Sequence, residues 1–373
     1  MNKDKVYDCV IIGGGLAGLC LSIQLAQKGF DVVLIEKNSY PFHKVCGEYI
    51  SLESWDFLLR LGIPLEQMNL PIIKSLSITA ENGFKISAPL DLGGFGVSRF
   101  NLDEKLAARA KHVGVVLLEN TIAKNVTLES NIYTITTNTL ELKSKLAFGS
   151  FGKINPSFIT TENSAKKGAY LGVKYHIKTV FPNDLIELHN FKNGYCGISK
   201  IDNETYCLCY LTKVKNLKDN NNSIQEMEKN VLMKNPYLKK IFTESTFLFD
   251  KPLAISQIGF NKKKTYTNNL IMLGDAAGAI APLCGNGMSI ALRTSHFLSE
   301  FVVKFLQQEI SKQELLNKYD KQWNDNFSLR IKTGFYLQEL LGKNFLTYLS
   351  LRLLKASPRL MNKLISLTHG KSF

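Results

Sequence analysis

Cys46 stands in the run HKVCGEYIS, residues 43–51, with Lys44 two residues before it and Glu48 two after it. A thiol can donate a proton or tune a neighbouring ring. A carboxylic acid can protonate a substrate once burial raises its pKa, and a lysine can offset phosphate or ring charge. Three such groups in five residues suit a loop folded back over a cofactor.

What precedes the loop supplies a cofactor site. DCVIIGGGLAGLCLSIQLAQKGFDVVLIEK, residues 8–37, opens with CVII, a continuous apolar run expected of a parallel strand buried on both faces. Gly13, Gly15 and Gly18 form G-x-G-x-x-G. The first permits a tight turn, the second lets backbone approach a pyrophosphate, and the third lets helix pack on strand. The helix predicted over 17–28 ends at Gly29 and offers its N-terminal N–H groups to phosphate. DVVLIE predicts a second buried strand ending in Glu36, whose carboxylate can accept from both ribose hydroxyls, with Lys37 as a further contact. Strand, turn, helix and acid in this order predict dinucleotide binding.

Far downstream, NNLIMLGDAAG predicts another buried strand running into Gly274 and Asp275. Gly285-Asn286-Gly287-Met288 then starts a helix. An aspartate at a strand end can hold a hydroxylated chain, and a glycine-rich helix start can present N–H groups to a polar ring edge. These demands fit the ribityl chain and pyrimidine side of a flavin, so FAD is the expected cofactor.

The two motifs together resemble the FAD-dependent oxidoreductases of the aromatic-hydroxylase (p-hydroxybenzoate hydroxylase-like) and geranylgeranyl-reductase superfamily, over nearly the whole chain. The resemblance implies FAD contacts at Gly13, Gly15, Gly18, Glu36 and Asp275, with Gly287 and Met288 at the isoalloxazine. SRFNLDEKLAARAKHVGV, residues 98–115, is similar to a family segment that puts Arg99 near the flavin or pyrophosphate. Ile122, on a strand expected after Gly114, matches a position whose backbone meets the adenine. KVCGE resembles the Lys-x-Cys-Gly loop of geranylgeranyl-reductase-like members, which borders the flavin's reactive side and makes Cys46 and Glu48 the candidate acids. Tyr195 and Cys196, in NGYCGIS, look like the family's substrate-lobe aromatic strand. One departure stands out: AFGSFGKINPS, residues 147–157, has Phe151 where the family carries an acid. That weakens the transfer of the hydroxylases' NAD(P)H handling. With no second G-x-G-x-x-G, NAD(P)H is expected only as a transient reductant, or another donor serves.

These residues need an α/β fold: a Rossmann-type FAD lobe, an inserted antiparallel β-sheet substrate lobe and a helical C-terminal tail. The expected division is 1–70, 98–155 and 265–310 for the FAD lobe, 71–97 and 156–264 for the substrate lobe, and 311–373 for the tail. Asn82-Gly83 and Asn193-Gly194 mark hairpin turns, and the polar stretch 213–223 reads as an exposed loop. The tail alternates leucines and aromatics with Lys and Arg; packing on the FAD lobe is favoured, with peripheral membrane contact through these basic helices as the alternative.

Composition narrows the partners. The net charge is +14, yet the lysines are dispersed and no nucleic-acid-binding signature accompanies them, so nucleic acid is excluded. Seven cysteines show no metal spacing, so no metal is expected; a reducing, cytoplasmic setting is. Residues 9–26 are uncharged but read as buried strand and helix, not an anchor. The favoured activity is a monooxygenase hydroxylating a hydrophobic or aromatic small molecule through a flavin hydroperoxide. The alternative is geranylgeranyl-reductase-like reduction of C=C bonds in a lipid or isoprenoid; a non-catalytic FAD-binding or membrane-adaptor protein is the alternative of another class. Halogenation is disfavoured, because Trp55 and Trp323 stand outside any Trp-x-Trp-x-Ile-Pro motif. The oligomeric state is left open.

Overall fold

The uncharged opening folds as strand Val6–Ile12 and helix Leu16–Gln27. The computed structural model describes residues 5–159, 170–258, 263–279, 285–368 and 370–373. Strand Val6–Ile12 lies in a parallel row between Val32–Ile35 and Glu141–Gly149, flanked by Val116–Leu118 and Leu270–Met272. Val10, Ile11, Val33 and Leu34 are fully buried, which is why these strands are continuously apolar. Helix Leu16–Gln27 is apolar all round because it packs between helices Arg99–His112 and Gly287–Leu306.

A second sheet holds the inserted strands. Its order runs Thr246–Phe247, Tyr170–Lys178, Tyr206–Lys213, Gly194–Lys200, Leu185–Phe191, Ile72–Thr79, Lys85–Gly96 and Tyr49–Ser51. Hairpins form at both Asn-Gly pairs. The sheet is not wholly antiparallel: Leu185–Phe191 runs parallel to Ile72–Thr79, because the chain returns to the first lobe between them. Strand Tyr49–Ser51, inside segment 1–70, pairs with Lys85–Gly96 and so ties the KVCGE loop to this second sheet.

Two further expectations are corrected. Stretch 213–223 contains helix Val214–Lys218, and Asn216 is buried, donating to the Lys192 carbonyl and Thr212 Oγ1 at 2.7 and 2.9 Å. The tail packs on both lobes. The first half of helix Lys312–Leu341 joins the first core through Leu315, Tyr319, Trp323 and Phe327. Helices Asn344–Ala356 and Pro358–Thr368 instead set Leu351 and Met361 against Ile78, Ile86 and Ala88 of the second sheet.

Candidate active site

A cavity of about 1130 Å³ runs from the glycine turn, past the KVCGE loop, to the C-terminal helices. Fifteen of the residues singled out from the sequence line it: Gly13, Gly15, Glu36, Lys37, Lys44, Cys46, Glu48, Arg99, Ile122, Tyr195, Gly274, Asp275, Gly285, Gly287 and Met288. Gly18 and Asn286 stand behind the wall. A side chain at Gly18 would overlap the Gly13 carbonyl, so its part is close packing. Asn286 is buried and its carbonyl accepts Ile290 N at 3.0 Å, which starts helix Gly287–Leu306.

At the glycine end, Gly13 has φ +110°, and a Cβ there would overlap the Ser150 carbonyl. A Cβ on Gly15 would meet nothing nearer than 4.0 Å and would project into the cavity, at the N-terminus of helix Leu16–Gln27. The Glu36 carboxylate accepts from Gly14 N at 2.9 Å and Asn38 N at 3.0 Å. Asp103 is fully buried and accepts Arg99 Nε and Nη2 at 2.7 Å each, and Lys44 Nζ at 2.9 Å. Burial alone would raise its pKa, but the Arg99 and Lys44 charges outweigh that and hold it below the usual carboxylate range. Two cations on one carboxylate leave a net positive charge at the cavity wall. An open glycine at a helix N-terminus, that surplus charge and the cavity-lining Glu36 fit the diphosphate half of FAD. Asp275, in the short 3-10 helix Gly274–Ala276 that follows strand Leu270–Met272, has Lys153 Nζ 4.0 Å from its Oδ2.

Ile122 departs from expectation. It lies between strands Val116–Leu118 and Ala123–Glu129, not on either, and is half exposed. Asn138 occupies both its backbone groups, accepting from Ile122 N at 2.8 Å and donating to Ile122 O at 2.9 Å. Its side chain is therefore what meets the cavity.

The KVCGE loop crosses the middle of the cavity. Cys46 Sγ lies 3.5 Å from Met288 Sδ, and its carbonyl accepts the Cys207 thiol at 3.3 Å. Glu48 does not suit the role of acid. It is fully buried with φ +56°, and accepts Lys174 Nζ at 2.5 Å, His176 Nε2 at 2.6 Å and Arg99 N at 2.7 Å. Burial pushes its pKa up, yet the His176 hydrogen bond and the Lys174 charge overcome this and hold it below the usual value. A carboxylate so held stays ionised; it anchors the loop. Glu48, His176 and Cys207 bring their ligand atoms within 4.8 Å of one another, but the Lys174 ammonium already sits on the carboxylate and opposes a further cation.

Lys174 and His176 escaped the sequence reading. The signal was a Lys and a His two apart, hence on one face, in the apolar interior of strand Tyr170–Lys178. Beyond Tyr195 the cavity continues as an apolar arm. Leu76, Ile78, Leu90 and Leu188 of the second sheet face Leu337, Leu341, Leu354 and Leu364 of the tail. Among the described residues, the Asp, Glu, Lys and Arg side chains lining the cavity are Glu36, Lys37, Lys44, Glu48, Arg99, Lys153 and Asp275, and none of them comes from the tail or from the sheet strands of the arm.

Residues 11–45 match the family described as an NAD(P)-binding Rossmann-like domain. The chain is 25% identical over 358 residues to conditioned medium factor receptor 1 of Dictyostelium discoideum, spanning 87% of this chain and 69% of that protein. It is 25% identical over 357 residues to the digeranylgeranylglycerophospholipid reductase of Methanocaldococcus jannaschii, spanning 91% and 88%. A flavin-dependent brominase superposes with a TM-score of 0.81 at 16% identity, covering 98% of this chain and 93% of that one, a likeness of fold alone. Motifs, fold and site geometry together support the FAD-dependent oxidoreductase superfamily for this chain, with similarity to digeranylgeranylglycerophospholipid reductase over most of both lengths.

Proposed function

We propose that the protein uses FAD to reduce carbon–carbon double bonds in a long, apolar, isoprenoid-type lipid. The apolar arm carries this reading. A hydroxylase for a small aromatic would want a pocket of matching size with polar groups aimed at the ring. The arm is lined instead by leucine and isoleucine from sheet and tail, which an extended chain would fill. The similarity to digeranylgeranylglycerophospholipid reductases over most of both chains supports the same choice, as does the KVCGE loop. The balance therefore moves from hydroxylation, favoured from sequence, to reduction.

Bound FAD would supply the hydride. The chain's own residues do the rest. Gly15, Lys44 and Arg99 hold the diphosphate, Glu36 the ribose, and Asp275 with Gly285, Gly287 and Met288 the flavin half. The Glu48 anchor fixes the loop, so that the Cys46 thiol beside Met288 holds the proton destined for the second alkene carbon. The apolar arm aligns the lipid and excludes water. NAD(P)H or another two-electron donor restores the reduced cofactor without a domain of its own.

The test is anaerobic. The FAD-loaded protein is reduced and mixed with a detergent-dispersed polyprenyl lipid, and its visible absorbance is followed. Return of the oxidised spectrum without oxygen supports reduction. Reoxidation only after oxygen is admitted, with a hydroxylated product, would put the monooxygenase in its place.

A further inference from the structure

Helix Asn344–Ala356 buries Leu351 on the second sheet and Thr347 against the end of helix Lys312–Leu341, yet its outer side is also apolar. Phe345, Leu346, Leu349 and Leu353 are 75, 38, 53 and 60% exposed. Leu346, Leu349 and Leu353 are spaced three and four apart and form one stripe. A helix apolar on both sides normally lies buried, so the outer stripe calls for a covering surface.

Two observations say which surface. Between Leu340 and Phe373 the chain has six Lys or Arg residues and no Asp or Glu. Of these, Lys343, Arg352, Lys355, Arg359 and Lys363 are exposed, on or next to the last two helices. In addition, Leu340, Leu353 and Leu360 both line the cavity and are more than a third exposed, so the mouth of the apolar arm opens within the patch. A second copy would bring cations against cations. An anionic lipid surface complements both the charge and the apolar stripe.

We propose that this face docks in the plane of an anionic bilayer, with helix Asn344–Ala356 at the headgroup–acyl boundary and the cavity mouth open to the acyl region. The helix has 13 residues, about 20 Å at 1.5 Å per residue, against a hydrocarbon core of about 30 Å. No helix among the described residues is long and apolar enough to cross a membrane, so contact is interfacial. Docking stands on the surface itself; only the statement that the lipid substrate enters there rests on the proposed reaction.

The experiment is co-sedimentation of FAD-loaded protein with vesicles of pure phosphatidylcholine or phosphatidylcholine mixed with phosphatidylglycerol, without reductant, so failure of the proposed chemistry cannot affect it. Binding to the anionic vesicles, weakened by salt, is expected. Arg352→Gln and Lys355→Gln should each weaken it about fivefold. The double variant Phe345→Asp/Leu349→Asp should abolish it while retaining bound FAD and the melting temperature, since both side chains are exposed and off the cavity wall. Absence of wild-type binding to either vesicle would overturn the proposal. So would vesicle binding unchanged in the double variant, or a wild-type dimer in sedimentation velocity that this variant dissociates.

Discussion

The Glu48 carboxylate meets the Lys174 ammonium at 2.5 Å with both side chains fully buried, two residues beyond the Cys46 thiol. The pair joins the loop that crosses the cavity to the second sheet, and His176 closes the arrangement on the other carboxylate oxygen. Two desolvated charges stabilise a site only while both are present. Lys174→Met should therefore cost about 3–5 kcal/mol, because it strands the Glu48 anion. Glu48→Gln/Lys174→Met should recover much of that loss. Chemical unfolding of the FAD-loaded proteins checks this, and strictly additive losses would mean the charges are not coupled.

Acid should unpick the same anchor. The folded-state pKa values of Glu48 and Asp103 lie below their usual ones, so their contribution is complete above the ordinary carboxylate range and fades as pH falls through the lowered values. Lys174 is shifted the other way: burial lowers its pKa, but the Glu48 charge more than reverses this. Its contribution persists below the ordinary lysine value and is lost only in strong alkali. The melting temperature should thus be level in this respect from about pH 6 to 9 and drop on the acid side. Glu48→Gln should make the acid limb shallower; an unchanged limb would place the acid sensitivity elsewhere.

Cofactor retention follows from the cradle. Purified protein should be yellow, and Glu36→Ala and Asp275→Ala should each weaken FAD binding by about 1–3 kcal/mol through lost hydroxyl hydrogen bonds. Gly15→Val should block binding yet leave the fold intact, since its Cβ points into open cavity. Titration of cofactor-free protein with FAD decides this. Tight binding by the Gly15 variant would mean that the diphosphate lies elsewhere.

Cys46→Ser separates chemistry from packing. FAD content should hold, while turnover falls about 10²-fold, the scale for losing a positioned proton donor. Near-normal turnover would leave the thiol as a packing partner of Met288.

Phe151, the departure from the family pattern noted in the sequence, lines the cavity, and the sequence holds no second G-x-G-x-x-G. Weak, non-saturating NAD(P)H binding to the oxidised, substrate-free protein is expected. Saturable, tight binding in a fluorescence titration would remove any weight from that substitution.

Local chemistry was legible and long-range pairing was not. Gly13, Gly15, Gly18 and Glu36 fall within one strand–helix–strand unit, so their spacing alone brings them together at the glycine end. The place of Asp275 on the cavity wall could be read because it follows closely on a continuous apolar strand. Glu48 was misjudged because its burial was foreseeable but its partners were not: Lys174 and His176 arrive from 126 and 128 residues away. Asn216 was hidden by its polar neighbours, since composition cannot tell a solvated loop from a satisfied buried amide. The tail's periodicity announced helices, but their seat on the second sheet, and with it the apolar arm, depends on contacts that no local pattern encodes.

The mass of the product tests the central claim most directly. Reduced, FAD-loaded protein would be given a polyunsaturated isoprenoid lipid without oxygen, and the lipid recovered for mass spectrometry. A gain of two hydrogen atoms for each double bond consumed, and none of oxygen, is the expected result. Recovery of the lipid unchanged under these conditions, with a gain of one oxygen atom when air and NAD(P)H are supplied, would contradict it.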